Sequence, residues 1–245
     1  MRSVIFKAGR SRFSTLSPES YFMAQPERQS WDAGRFLQTL SFFESIPVVS
    51  WLQHMVFGST PPPPPQPQAG LIFDFSQPSS TLNQVWGALD DVVMGGVSAS
   101  SFQMQDSAAL FTGTVSTENS GGFASVRTRN FDPPLNLTGH SGIELRLKGD
   151  GQRYKFLVRD EDSWDSLAYT YSFDTVPNQW IEVRIPFNLM SPVFRAKTVA
   201  DAKGLNTARI RSLQLMLSKF EYNGALNPNF QPGEFRLSVR AIAVY

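Results

Sequence analysis

The stretch IELRLKGDGQRYKFLVR, residues 143–159, decides the fold class. In its first half, Ile143, Leu145 and Leu147 alternate with charged residues. This period of two is typical of a strand with one face in a core and the other in water. The segment KGDGQ (148–152) separates this run from a second apolar one and predicts a tight hairpin turn. The stretch therefore favours antiparallel β-structure.

The same pattern recurs throughout residues 71–245. Alternating apolar runs occur at 181–185 and 213–217, with Gly, Pro and Asn between the runs. After Val239 the apolar parity slips by one residue, which predicts a bulge near Arg240–Ala241. Roughly ten such strands, with no long helical period, predict a β-sandwich.

The composition of the 245-residue chain excludes several kinds of site. There is no cysteine, so disulfides, thiolate nucleophiles and Cys-based metal sites are excluded. Of the two histidines, His54 and His140, only the second lies in the β region, and one histidine cannot build a His-based metal cage. The formal net charge of +1 gives no indication of a nucleic-acid partner. We expect no cofactor.

The region before the strands divides into three segments. Residues 1–30 are basic and are expected to form a disordered tail, with a transit peptide as the alternative. Residues 31–58 form an amphipathic helical segment. Residues 59–70 contain five consecutive prolines and predict a stiff polyproline II linker. The β-sandwich domain then occupies residues 71–245.

The helical segment is too apolar to stay free in water. It predicts two short helices that Pro47 separates, and three interpretations remain open: insertion in a membrane interface, docking on a partner, or docking on its own domain. The side chains expected to dock on a membrane or partner are Trp31, Phe36, Leu40, Phe43, Trp51, Leu52 and Met55.

Two groups of side chains in the β region are candidate ligand sites. The acidic loop 159–166 offers carboxylates to calcium, although it lacks the central glycine and final glutamate of a calcium loop, and a solvated loop is the alternative. Its candidate ligands are Asp160, Asp162 and Asp165. Aromatic side chains nearby form a candidate binding surface, with a buried core stripe as the alternative. These are Trp164, Tyr169 and Tyr171.

A second notable stretch is DDVVMGGVS, residues 90–98. Its acids have no His or Cys beside them, and its glycines lead neither into a helix nor to a lysine, which argues against a catalytic or phosphate-binding loop. We expect Val92–Met94 to begin a strand and Gly95–Gly96 to form a tight bend. Asp90 and Asp91 are expected to accept hydrogen bonds from backbone N–H groups.

Several blocks together resemble the complex I intermediate-associated protein 30 family in order and spacing. The blocks are WGALDDVVMGGVS (86–98), FTGTVSTENSGGFASVR (111–127), LRLKGDGQRYKFLVR (145–159), WIEVRIPF (180–187) and GEFRLSVRAIAVY (233–245). The motif positions that carry the resemblance are Trp86, Asp91, Met94, Gly95, Gly96, Ser98, Gly121, Gly122, Phe123, Arg127, Gly149, Asp150, Gly151, Tyr154, Trp180, Pro186 and Phe187. Asp90 departs from the family's usual Asn, and Arg195–Ala196 departs from its Arg-Gly.

The resemblance implies a mainly β, galactose-binding-like jelly-roll sandwich that carries the helical appendage at its N-terminus. It implies an assembly factor for membrane complexes, either respiratory complex I or photosynthetic complexes, and it supplies no catalytic residues. We therefore expect a non-enzymatic protein that binds subunits or intermediates of such a complex. Carbohydrate binding, which rests on the fold alone, is the alternative.

The helical segment 31–58 is similar to segments of photosynthetic-lineage relatives, which favours a cyanobacterial or plastid protein. We expect it to hold the protein peripherally on a thylakoid or inner membrane, on the cytoplasmic or stromal face. No secretion signal is expected, because the sequence offers no apolar signal core.

Overall fold

A computed structural model describes residues 30–43, 70–163 and 165–245 of the chain. Two antiparallel sheets pack face to face, which confirms the predicted mainly β sandwich. The helical part of the described chain is small. The expectations for Trp51, Leu52, Met55 and Trp164 lie outside the described residues.

Within the described residues, the helices and strands have the following bounds. The strands are β1 (Leu71–Asp74), β2 (Trp86–Ala88), β3 (Ala99–Gln105), β4 (Ala108–Val115), β5 (Phe123–Thr128), β6 (Gly142–Lys148), β7 (Arg153–Arg159), β8 (Ala168–Asp174), β9 (Trp180–Pro186), β10 (Ser191–Phe194), β11 (Lys197–Thr198), β12 (Ser212–Ser218) and β13 (Gly233–Val244). The α-helices are α1 (Ala33–Phe42) and α2 (Leu82–Val85), and short 3-10 helices span Asp91–Met94, Glu118–Ser120 and Phe187–Leu189.

Strand β13 is the centre of one sheet, which we call sheet 1. Its order is β3-β4-β13-β6-β9, and β1 pairs with the C-terminal half of β13. The other sheet, sheet 2, has the order β11-β10-β8-β7-β12-β5-β2. The core lies between the sheets and is filled by the alternating apolar residues that the sequence pattern identifies. Leu145, Phe156 and Leu215, for example, are fully buried, and each contributes about 1.5–3 kcal/mol of hydrophobic stabilisation.

The predicted bulge is confirmed within β13. Val239 pairs with Leu147, whereas Ala241 pairs with Arg146, so one extra residue is accommodated at position 240. The extra residue turns Ile242 back into the core, and the sheet keeps one apolar face despite the change in sequence parity.

The hairpin predicted at residues 148–152 is wrong. Strand β6 belongs to sheet 1 and β7 to sheet 2, so this segment crosses between the sheets. The Asp150 carboxylate holds the crossing in place, because it accepts hydrogen bonds from the Tyr154 hydroxyl (3.0 Å) and the Arg236 backbone N–H (2.9 Å) on opposite sheets. Gly149 is packed so closely that an added Cβ would lie 2.5 Å from Thr175.

Candidate functional site

The Asp91 carboxylate joins three segments of the sandwich. It is fully buried and accepts hydrogen bonds from the Ser98 backbone N–H (2.9 Å) and the Ser98 hydroxyl (2.7 Å). It also accepts bonds from the N–H groups of Gly122 (2.7 Å) and Phe123 (3.2 Å), at the start of β5. A buried carboxylate needs such a complete set of donors. The Asp91 carboxylate therefore makes its hydrogen bonds within the protein.

The glycines around Asp91 make room for its side chain. An added Cβ would lie 2.4 Å from the Asp91 carboxylate at Gly96 and 2.5 Å from it at Gly121. Gly95 has a different role: its φ of 88° ends the 3-10 helix in the left-handed conformation. The predicted strand at Val92–Met94 is wrong, because these residues form the 3-10 helix that places Asp91 among its donors.

The neighbouring carboxylate, Asp90, serves a second set of donors. It accepts hydrogen bonds from the Ser100 N–H (2.9 Å), the Ser100 hydroxyl (2.6 Å) and the Ser125 N–H (2.9 Å). The Arg35 guanidinium of α1 completes the set at 2.8 Å. Burial raises the pKa of Asp90 to about 6, although the hydrogen bonds from Ser100 and Ser125 and the charge of Arg35 act in the opposite direction.

This raised pKa makes stability depend on pH between about pH 4 and pH 6. The folded protein holds the Asp90 proton more tightly than an unfolded chain, whose pKa is 3.8. The stabilising contribution is therefore complete below about pH 4 and is lost as the pH rises through about 6. We expect the unfolding free energy of the wild type, relative to Asp90→Asn, to fall by about 2 kcal/mol from about pH 4 to about pH 7. Urea unfolding at both pH values measures this difference, and a constant difference contradicts the prediction.

Helix α1 packs on the same part of the sandwich. The Trp31 indole N–H donates to the Val92 carbonyl (2.9 Å), and Arg35 donates to the Ser98 carbonyl (3.0 Å). At the other end of the helix, the Phe42 ring lies where a Cβ on Gly87 would be, at 2.5 Å. For the described part of the helical segment, these contacts favour docking on its own domain.

Of the other docking candidates of this segment, the three that the structure describes lie within α1 or directly after it. Phe36 and Leu40 are half-buried, and the Phe43 ring centroid lies 5.6 Å from the Arg127 guanidinium. Two apolar residues of this segment remain exposed, Leu37 on α1 at 60% and Trp31, just before α1, at 44%. The helix therefore buries one face on the sandwich and keeps apolar surface on the other. Among the described residues, no helix is long and apolar enough to cross a membrane.

The outer face of sheet 2 carries a buried polar network beside α1. Arg159 donates to the Gln214 side-chain carbonyl (2.7 Å), and the Gln214 amide donates to the Ser125 hydroxyl (2.9 Å). Arg127 donates to the Ser212 hydroxyl (3.1 Å). Burial lowers the pKa of Arg159 to about 10 and that of Arg127 well below its usual value. These bonds link side chains of β5, β7 and β12, and one of them comes from the motif residue Arg127 on β5.

Other motif residues support the fold. The rings of Trp86 and Tyr154 are buried in the core, and the Tyr154 hydroxyl donates to Asp150. Pro186 ends β9, and Phe187 begins the 3-10 helix and packs against the core. Met94 differs from these residues because it is largely exposed.

The three acidic candidates for calcium are held by different partners. Asp162 pairs with Arg209 and Arg211, and Asp165 pairs with Arg195. Asp160 accepts a hydrogen bond from the Asn206 backbone N–H (2.8 Å). Within residues 30–43, 70–163 and 165–245, no group of three or more His, Cys, Asp or Glu side chains is arranged to hold a metal ion.

The candidate aromatic surface is only partly accessible. Tyr169 is buried in the core, and its hydroxyl donates to the Lys203 carbonyl (2.8 Å). Tyr171 is half-buried and packs against the same core cluster. Tyr169 therefore offers no ring face to a ligand. Its burial agrees with the alternative prediction of a core stripe.

A groove on the outer face of sheet 1 was not predicted from the sequence. Two adjoining cavities, of about 340 and 570 Å³, share the side chain of Arg236. Lys148 and Trp180 line the first cavity, and Ser100 and Thr112 line the second. Apart from Ser100, which shares the parity of the buried Phe102, these residues have the outward parity of their strands, but the sequence does not reveal which strands become neighbours.

Comparison with known proteins places the chain in a family. Residues 73–239 match the family model for Complex I intermediate-associated protein 30 (CIA30). An uncharacterised protein of Schizosaccharomyces pombe, C9E9.15, is 33% identical over 187 residues, which cover 69% of this chain and 82% of that protein.

Solved structures show similarity in fold. The family 11 carbohydrate-binding module of the Clostridium thermocellum cellulase Lic26A-Cel5E aligns with a TM-score of 0.50 and 16% identity, over 71% of this chain and 92% of the module. The agarase AgWH50C aligns with a TM-score of 0.47 and 8% identity, over 72% of this chain and 26% of the enzyme. The module shares the β-sandwich fold, and the family match extends across nearly all of the sandwich. The chain belongs to the Complex I intermediate-associated protein 30 family.

Proposed function

We propose that this protein is a non-catalytic assembly factor that binds subunits or assembly intermediates of respiratory complex I. The observation that carries the proposal is the family match across residues 73–239, on a sandwich whose motif acids are occupied by internal hydrogen bonds. Asp90 and Asp91 hold backbone segments together, so the motif supports a scaffold. A scaffold of this kind acts through its surfaces.

Binding an unassembled subunit fits the physics of assembly. A subunit that waits for its partners exposes apolar and charged interface, which favours aggregation. A factor that binds this form and not the finished complex stabilises the intermediate by mass action. The sandwich offers a rigid surface for such binding, since its core fixes the outward side chains of both sheets.

Peripheral attachment to the membrane that holds the complex is part of the proposal. Residues 31–58 are the segment proposed to supply it, on the cytoplasmic, matrix or stromal face. The exposed Leu37 on α1 and Trp31 just before it support this assignment, because they leave apolar surface exposed on and beside the docked helix. A photosynthetic complex in place of complex I, in a cyanobacterial or plastid setting, is the alternative client.

Affinity purification of the tagged full-length chain from gently solubilised membranes tests the function. We expect complex I subunits to be enriched about tenfold over an unrelated tagged protein, with partial assemblies more abundant than the complete complex. The matched control variant is Asp174→Asn, which changes one exposed ion pair with Arg153 and should leave recovery unchanged. Recovery in the soluble fraction without complex I subunits contradicts the proposal, and recovery of photosystem subunits favours the alternative client.

Carbohydrate binding remains the second candidate function. The observation that favours it is the half-buried Trp180 beside a polar cavity of about 340 Å³, an arrangement that suits a sugar ring. A glycan array tests it directly. A specific signal that Trp180→Ala abolishes supports sugar binding. An array on which no glycan gives a signal contradicts it.

A further inference from the structure

Helix α1 docks on the sandwich mainly through polar groups. Its Arg35 guanidinium donates to the Asp90 carboxylate (2.8 Å) and to the Ser98 carbonyl (3.0 Å). Among the described positions of α1, Thr39 is the only buried residue. Hydrogen bonds and one ion pair therefore hold the helix, and burial of apolar side chains contributes little to its docking.

The apolar side chains of α1 are only partly covered in this arrangement. Phe36, Leu40 and Phe42 are half-buried, and Leu37 is 60% exposed. None of these side chains belongs to the hydrophobic core between the sheets. A helix that packs for stability normally buries its apolar stripe against the core. Helix α1 instead keeps an apolar stripe that another environment can cover more completely.

The Asp90 carboxylate stays hydrogen-bonded without Arg35. It keeps three other donors, the Ser100 N–H, the Ser100 hydroxyl and the Ser125 N–H, and all three belong to the sandwich. Residues 44–69 separate the stretch that carries α1 from Gly70, and a connection of this length extends to about 85 Å at most. Release of α1 therefore breaks few bonds and leaves both sheets in place.

The composition of α1 suits the interface of a lipid bilayer. Its residues, Ala33–Phe42, include one charged side chain, Arg35, and no acid. Asp32 lies before the first turn, where its carboxylate accepts a hydrogen bond from the Arg35 backbone N–H (3.1 Å). In a bilayer, the apolar side chains of an interfacial helix enter the acyl boundary, and a guanidinium pairs with headgroup phosphate. Asp90 and a headgroup phosphate therefore bind the same donor.

We propose that α1 exchanges between the sandwich and a lipid bilayer, with the Asp90 carboxylate and headgroup phosphates competing for Arg35. The proposal rests on the peripheral attachment proposed above and adds that the attachment is latched: the docked helix is the resting state, and its release supplies the membrane-binding form. Only the released helix can insert its whole apolar stripe, so membrane affinity rises with the released fraction. A weaker latch therefore strengthens membrane binding.

Co-flotation of the full-length chain with vesicles of equal parts phosphatidylcholine and phosphatidylglycerol tests the latch. Asp90→Asn removes the charge that attracts Arg35, and we expect it to raise the affinity for vesicles about tenfold. The matched control is Asp174→Asn, which makes the same change at the exposed ion pair with Arg153 and should keep the affinity of the wild type within about twofold. Equal affinity of the two variants overturns the proposal.

A second pair of variants tests the membrane contact itself. Leu37 is exposed while α1 is docked, so Leu37→Glu should leave docking unchanged. It should lower the affinity for vesicles about tenfold, because a carboxylate does not enter the acyl boundary. Leu189 is equally exposed, at 59%, on the 3-10 helix that follows β9, and Leu189→Glu should keep the affinity within about twofold. If these two variants bind vesicles alike, α1 does not contact the bilayer and the proposal is overturned.

Hydrogen exchange of the α1 amides in the absence of lipid measures release directly. A released helix of this length does not persist in water. The Phe43 N–H, which donates to the Thr39 carbonyl (3.2 Å), should therefore exchange about tenfold faster in Asp90→Asn, while amides of β6 and β12 keep their rates and show that the sandwich is folded. If Asp90→Asn lowers stability, Arg35→Lys weakens the same latch without altering the buried carboxylate. Unchanged exchange of α1 in both variants overturns the proposal.

The affinity purification separates this inference from the assembly function. If Asp90→Asn and Leu37→Glu bind vesicles as the wild type does, but complex I subunits are recovered, the exchange fails and the assembly function stands. If both variants behave as expected and the wild type recovers no such subunits, the exchange stands and the assembly function fails. Higher subunit recovery for Asp90→Asn without stronger vesicle binding assigns the released helix to a protein and overturns the bilayer as its partner.

Discussion

Replacing Asp91 with Ala is expected to lower the free energy of unfolding by about 4 kcal/mol, because several buried donors lose their acceptor at once. The donors are the N–H groups of Ser98, Gly122 and Phe123 and the Ser98 hydroxyl. They lie at the starts of β3 and β5, which Asp90 also joins through Ser100 and Ser125, so the loss spreads to both strands. Chemical denaturation followed by tryptophan fluorescence measures the change.

A matched control separates this effect from the loss of any aspartate. Asp74 is exposed and accepts a hydrogen bond from the Ser76 backbone N–H (2.8 Å) within its own turn. Asp74→Ala should therefore cost no more than about 1 kcal/mol. If Asp91→Ala is as stable as this control, the carboxylate does not hold the three segments together.

Replacing Gly96 with Val is expected to destabilise the domain by about 3 kcal/mol or more, since the new side chain occupies the space of a carboxylate that cannot move. An added Cβ already lies 2.4 Å from Asp91, and that side chain is fixed by its four donors. The neighbouring glycine provides the control: Gly95 has open space around its Cα and only a left-handed φ of 88°. Gly95→Ala should cost about 1 kcal/mol from backbone strain alone.

The two glycine variants make the physical cause testable. A large loss at Gly96 with a small loss at Gly95 is the signature of steric conflict with Asp91. Equal losses at both positions would indicate that backbone conformation, and not the space around the carboxylate, is what the glycine pair provides.

The fold class could be predicted from side-chain parity because a period of two reports directly on burial. Ile143, Leu145 and Leu147 face the core as the alternation requires, and the parity slip after Val239 marks a real bulge. Parity does not specify which sheet a strand joins. The crossing at 148–152 was therefore mistaken for a hairpin, since both topologies leave the same alternation on either side of KGDGQ.

The sequence predicted the bend at Gly95 and the backbone N–H bonds to Asp90 and Asp91, but the 3-10 helix at Asp91–Met94 could not be predicted because its causes are distant in sequence. Val92–Met94 has the composition of a strand, but the carboxylate finds its donors at Gly122 and Phe123, 31 and 32 residues away. Helix α1 shows the same limit. Its amphipathic pattern predicts a buried face. The surface on which that face packs depends on the pairing of Arg35 with Asp90, 55 residues away.

The groove on sheet 1 could not be predicted from the sequence. Lys148, Trp180 and Arg236 each have outward parity, but they come from three strands whose neighbours are set by the sheet order. Because the chain has no cysteine and only two histidines, the sequence already excluded thiolate nucleophiles and His-based metal cages. Only the register shows that these three side chains line one groove.

If the motif at 90–98 builds the scaffold and clients bind to the surfaces of the sandwich, Asp91 affects binding only through folding. Complex I subunit recovery and folded fraction, measured together for Asp91→Ala across a range of temperatures on the same preparations, test this relation. We expect recovery to fall in parallel with the folded fraction and to lie on one curve with the wild type. Loss of recovery while the variant remains folded would contradict it, because Asp91 would then act in binding itself.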